Sequence, residues 1–168
     1  SLSVEASLSS RNVFEKKINA LKKHKGQSTS AGNVWRALSK SEIVDSHADC
    51  DRLQDAYSFR CMPHVHGSSR ELFQNVRTII ENEANSVSDN PLIFSDTEIR
   101  TGGHFHAEAV AQSLDTLSIS ISEIGAISER RIHYFMKGID DTIPMFVTSN
   151  PGLESGFMLA QVTAASLP

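Results

Sequence analysis

Three side chains in the middle of the sequence could hold a carboxylate and move a proton: Gln54, Tyr57 and Arg60. They are spaced by threes, so in a helical or 3₁₀ turn they share one face. Arg60 is a permanent cation whose planar fork can grip a carboxylate through two hydrogen bonds. A cation beside a phenol favours the phenolate, which would make Tyr57 a proton acceptor. Gln54 can orient either group. A substrate that carries a carboxylate and exchanges a proton suits this set. Ordinary helix-surface pairs use the same Tyr-x-x-Arg spacing, so spacing alone leaves both readings open.

The histidines form a second candidate. His64 and His66, and likewise His104 and His106, would each put two imidazoles on one side of an extended backbone, with His47, Cys50 and Cys61 near in sequence. A metal site is therefore the runner-up chemistry, although the spacing matches no zinc signature and no carboxylate accompanies it. Gly102-Gly103-His104 lacks the strand-loop-helix context of a phosphate loop, and no Gly-x-Ser-x-Gly elbow is present.

Helices must position these groups. Phe14, Ile18 and Leu21 predict a short amphipathic helix within 11–24, stopped by Gly26, with 26–30 as a loop. Val34, Trp35 and Leu38 predict another short helix ending near Ser39. Leu72, Phe73, Val76, Ile79, Ile80 and Val87 recur at helical spacing and predict a helix over 69–88, opened by a Ser68–Glu71 capping box and finished before Pro91. Leu92-Ile93-Phe94 with Ser95-Asp96 reads as a short extended piece and turn. Over 107–136, Val110, Leu114, Leu117, Ile121 and Ile124 predict one long helix. The strand-like alternation at 117–122 is too short to outweigh a pattern that continues on both sides. Residues 141–152 read as loop. A last helix from near Leu153, apolar or small on most sides, is expected to be buried between others. The fold class is all-α: long packed helices with irregular loops, in one segment over 1–168.

Composition sets outer bounds. With 168 residues, 39% hydrophobic and 21% charged, the chain can bury one core and is not compositionally disordered. A net charge of −4 offers nucleic acid no global attraction, and Lys16, Lys17, Lys22, Lys23 and Lys25 read as a solvated face. No apolar run approaches the roughly 18 residues of a membrane helix, and no secretory leader is visible. Two cysteines without a pairing motif fit reduced thiols in the cytoplasm. Both ends look cut, so truncation at each is expected.

The motifs, taken in order, resemble a known family. Gln54-Asp55-Ala56-Tyr57-Ser58-Phe59-Arg60-Cys61 leads into Pro63-His64-Val65-His66-Gly67. Then follow Ser88-Asp89-Asn90-Pro91-Leu92, Gly102-Gly103-His104-Phe105-His106, Ser128-Glu129-Arg130-Arg131 and Asn150-Pro151-Gly152-Leu153-Glu154-Ser155-Gly156-Phe157-Met158. The series is similar to the central portion of the aromatic amino acid lyases, which include the histidine, phenylalanine and tyrosine lyases and the aminomutases. Leu21 to Gln27 and Ser41 to His47 resemble the preceding stretch of the histidine lyases, so the likeness covers nearly the whole chain.

The resemblance implies part of the central bundle of a helical homotetramer that eliminates ammonia from an L-amino acid. The family's electrophile is 4-methylideneimidazol-5-one, formed from an internal Ala-Ser-Gly. By resemblance Tyr57 is the active-site tyrosine, Arg60 the substrate-carboxylate arginine, Gln54 the motif's glutamine, and Phe105 the phenylalanine packing on substrate or cofactor. His66 and His106 lean toward L-histidine as substrate and urocanate as product. His64 and His104 depart from the glutamine and asparagine usual there. The sequence holds no Ala-Ser-Gly, only Ser30-Ala31-Gly32. The expectation is a piece of an ammonia-lyase, inactive alone, with Tyr57, Arg60 and Phe105 gathered in one cleft. The alternatives are a helical assembly module without catalysis and a histidine-based metal protein. Neither a nucleic-acid nor a membrane partner is expected.

Overall fold

The computed structural model describes residues 1–167. Eight α-helices and one hairpin follow in order: α1 (Leu2–Ala6), α2 (Lys16–Asn19), α3 (Lys25–Ala37), α4 (Glu42–Ser46), α5 (Tyr57–Arg60), α6 (Met62–Ala84), β1 (Leu92–Ser95), β2 (Glu98–Arg100), α7 (Glu108–Met136) and α8 (Met158–Ala165). Single 3₁₀ turns lie at Asn12–Phe14 and Met145–Val147. The all-α expectation holds, with the antiparallel hairpin as the one sheet among the described residues.

Three long helices make the frame. α6 lies between α3 and α7, and runs antiparallel to α7. Phe59, just before α6, stacks edge-on against Tyr134 and Phe135 at 5.3 and 5.9 Å, whereas Ser69, further along α6, donates to the carbonyl of Ser120. The core gathers at this end: Val4, Phe14, Ala31, Leu38, Val44, Phe59 and Met62 form one buried cluster. The hairpin joins the far ends of α6 and α7. There the Asn90 side-chain carbonyl accepts the Gly102 N–H at 2.8 Å, tying β1 to the loop that leads into α7.

The long helix expected over 107–136 is present as α7, and the extended piece at 92–96 is β1 with its turn. Four boundaries differ. The region 11–24 forms a 3₁₀ turn and one turn of α2, not a single helix. Gly26 does not stop a helix, and 26–30 is not a loop: both belong to α3. Glycine is required there because α3 and α6 touch backbone to backbone. A Cβ on Gly26 would stand 2.1 Å from the Gly67 carbonyl oxygen. Next, α6 begins at Met62, with Pro63 in its first turn, not at 69. Glu71 therefore closes no capping box with Ser68. Its carboxylate accepts the Gly26 N–H at 2.7 Å and caps α3 instead.

The last helix starts at Met158, because Gly156 takes a left-handed φ of 49° where its backbone meets the Phe146 carbonyl. The expectation that it is buried is not met within this chain. Leu159 and Val162 are exposed, and α8 has no buried residue. Its main polar tie is Gln161, which donates to the buried Glu129 carboxylate of α7 at 2.8 Å.

Glu129 also accepts from the Arg130 guanidinium, and that bond, helped by Gln161 against the cost of burial, holds its carboxyl below the usual 4.5. Its contribution to stability is complete above the unfolded value and is lost as pH falls through the lower folded one. Glu129→Gln is therefore expected to lose less stability than wild type as pH falls through and below the ordinary carboxylate range in urea titrations. Equal acid sensitivity of the two proteins would show that this carboxylate is not linked to folding.

Candidate active site

α5 is a single turn that places its four side chains by burial. Ser58 and Phe59 point into the core, and Phe59 is clamped by the two α7 aromatics. Tyr57 and Arg60 are left on the outer side. The Arg60 guanidinium carbon lies 5.9 Å from the centroid of the Tyr57 ring, within cation–π range. The expected pairing of these two residues is thus present, with the cation over the ring face and the phenol at the surface. Gln54 precedes the helix and does not continue its face. It nonetheless reaches Arg60 by another route, since both line a cavity of about 300 Å³ shared with Asn12, His47, Arg52 and Asp55.

The charges around that cavity are unequal. Arg52 is held on several sides. It donates to the Ser7 carbonyl at 3.2 Å and lies 3.7 Å from Asp55 and 3.9 Å from Asp140. Asp55 in turn accepts the Ser10 N–H at 2.9 Å, fastening the motif to the N-terminal segment. Arg60 has no such partner. Its Nε–H is buried without an acceptor, and the ion pairs among the described residues leave its charge unmatched. A half-buried guanidinium whose charge no carboxylate balances is suited to hold an anion. The Arg52–Asp55 pair was not singled out from the sequence. Its i, i+3 spacing in Asp51-Arg52-Leu53-Gln54-Asp55 was the available signal.

Phe105 is elsewhere. It sits, exposed, in the loop before α7, whereas α5 packs at the other end of that helix. At about 1.5 Å per residue, the helix from Glu108 to Tyr134 spans roughly 40 Å. The expected cleft uniting Tyr57, Arg60 and Phe105 therefore does not form within one chain.

The histidine metal site fails for the same reason. His66 meets Arg131 near the α5 end of the bundle, while His104 and His106 precede α7, roughly 35 Å away along the helix. No cluster of three or more His, Cys, Asp or Glu side chains able to hold a metal occurs among the described residues. Arg131 can only donate, so the 2.8 Å contact makes His66 Nε2 the acceptor and the ring neutral. Burial, with Arg131 and Arg70 beside it, lowers the His66 pKa, and the partial desolvation of the more exposed His64, with Lys22 near it, lowers that one too. His64 and His104 are both exposed.

Comparison with known proteins decides the lineage. The family model described as aromatic amino acid lyase matches residues 1–168. This chain belongs to the aromatic amino acid lyase family. Among curated relatives, the histidine ammonia-lyase of Gloeobacter violaceus is 46% identical over 168 residues, covering 99% of this chain and 33% of that protein. The corresponding enzyme of Aliivibrio fischeri is 47% identical, again over 99% of this chain and 33% of its own length. Among solved structures, histidine ammonia-lyase from Trypanosoma cruzi superposes with a TM-score of 0.84 at 38% identity, over 99% of this chain and 30% of that one. The chain thus spans about a third of the curated relatives it matches. No helix among the described residues of this lyase-family chain is long and apolar enough to cross a membrane.

Proposed function

We propose that these residues form the carboxylate-holding part of an ammonia-lyase site that converts L-histidine to urocanate and ammonia. The unmatched Arg60 guanidinium beside Tyr57 carries this reading. Arg60 grips the substrate carboxylate, Gln54 contributes a neutral hydrogen bond from the same cavity, and the exposed Tyr57 phenol exchanges a proton. The names of the relatives and the residues His66 and His106 favour histidine as substrate. Two unlinked cysteines fit a reducing cytoplasm.

The family's methylideneimidazolone supplies an electrophile for loss of the amino group. Its source would lie outside these residues: Ser30-Ala31-Gly32 has the wrong order and sits inside the continuous helix α3. This chain's part is to bind and orient the substrate. The chain alone is therefore expected to give no urocanate from L-histidine, followed in the near ultraviolet. A chimera in which it replaces the matching stretch of the Gloeobacter violaceus relative is expected to give turnover. Turnover by the chain alone, or none by the folded chimera, would refute the assignment.

The separation of Phe105 from Arg60 favours a homo-oligomer, a tetramer as in the family resemblance, in which Phe105 of one copy faces Arg60 of another. The exposed apolar side chains Ile119, Ile121, Leu159 and Val162 give such an assembly a surface to bury. Mixed oligomers of Arg60→Met and Phe105→Ala chimeras are expected to regain part of the activity each lacks alone, because some mixed sites hold both native residues. Failure of co-expressed variants to exceed the better single one would rule out a shared site.

A further inference from the structure

We propose that Asp55 is a positioning residue that engages Arg52 and so reserves the cavity's carboxylate site for Arg60. The inference rests on the carboxylate-binding reading of that cavity and adds to it a means of discrimination. Two guanidinium groups line the same cavity. An incoming carboxylate would meet either with comparable attraction if both were free, and only one of the two poses puts it beside Tyr57.

The structure separates them. Asp55 is held in place by the Ser10 N–H and its side chain is only 9% exposed, so its charge is fixed and poorly solvated. It faces Arg52, which is further held by the Ser7 carbonyl and by Asp140. Arg52 thus has acceptors on several sides while Arg60 has an idle donor. Neutralising Asp55 removes the nearer carboxylate from Arg52 while an asparagine oxygen can still accept from Ser10. The result is a second cation available to the ligand.

The test uses this chain and trans-urocanate as the probe, reading the Nε–H resonances of assigned arginines by ¹⁵N NMR. In wild type, Arg60 is expected to shift saturably while Arg52 stays still. In Asp55→Asn, Arg52 is expected to shift as well, and in Asp55→Asn with Arg52→Gln the response returns to Arg60 alone. A purely structural role for Asp55 would show no such rescue. Should Asp55→Asn not fold, Arg52→Gln gives an independent reading. It leaves the Asp55 carboxylate uncompensated near the cavity, so the affinity at Arg60 is expected to fall about tenfold.

Equal response of both arginines in wild type, silence of both, a still Arg52 in Asp55→Asn, or unchanged affinity in Arg52→Gln would each overturn the proposal. Turnover by the chimera is scored separately. An active chimera whose arginines behave otherwise sinks the positioning role alone, and the expected arginine pattern with an inactive chimera sinks the lyase reading alone.

Discussion

Gly67→Ala is expected to lower the stability of this chain by about 3 kcal/mol or more, the upper end of what overpacking usually costs. The added methyl has nowhere to go. Its carbon would stand 2.4 Å from the Gln27 nitrogen and 2.5 Å from the Gln27 Cα, both main-chain atoms of α3. Backbone cannot rotate aside as a side-chain tip can, so α3 and α6 must separate. Their separation would also withdraw Glu71 from the N–H it caps at Gly26. Gly32→Ala and Gly125→Ala provide the internal control. Both glycines lie inside helices with nothing within 4 Å of a new Cβ. There alanine removes only unfolded-state freedom and should stabilise by about 0.5–1 kcal/mol. The urea midpoint, at constant slope, reads all three. A Gly67→Ala midpoint close to wild type would mean that the helices do not cross at this distance.

That contact shows where the sequence was legible and where it was not. α7 was readable because its apolar residues repeat over many turns, and a pattern of that length outweighs six residues of strand-like alternation. Gly26 was misread because glycine near a polar stretch has the local signature of a break. Its real partner, Gly67, is far away in sequence and only the folded chain brings them together. Ser68 and Glu71 misled in the same way: the spacing was that of a cap, but the capped helix was another one. Within the site, Tyr57 with Arg60 was visible because one turn of helix sets their relation. Phe105 was not, because motif order carries no distance, and a single long helix lies between it and α5. The apolar character of α8 was read as burial between helices, yet its side chains lie exposed in this chain, because an apolar composition carries no information on which neighbour a helix meets.

Arg60→Met separates stability from function. In this chain the guanidinium has an idle buried donor, which costs about 1–3 kcal/mol. Against that, its contact with the Tyr57 ring contributes about 0.5–1 kcal/mol at so exposed a ring. The cost outweighs the gain, so methionine, which fills similar space without a donor, is expected to leave stability unchanged or raise it by about 1 kcal/mol. In the chimera the same change removes the charged fork that holds the substrate. Losing a two-bond carboxylate contact is worth about 3–4 kcal/mol, so kcat/KM for L-histidine is expected to fall about 100- to 1000-fold. Arg60→Lys keeps the charge but not the fork and should fall between, nearer the methionine variant. If methionine instead destabilised the chain and activity fell only in proportion to the folded protein lost, Arg60 would be a packing residue. A large loss of activity with no loss of stability is what a group that binds substrate requires, and a packing role in the core does not produce it.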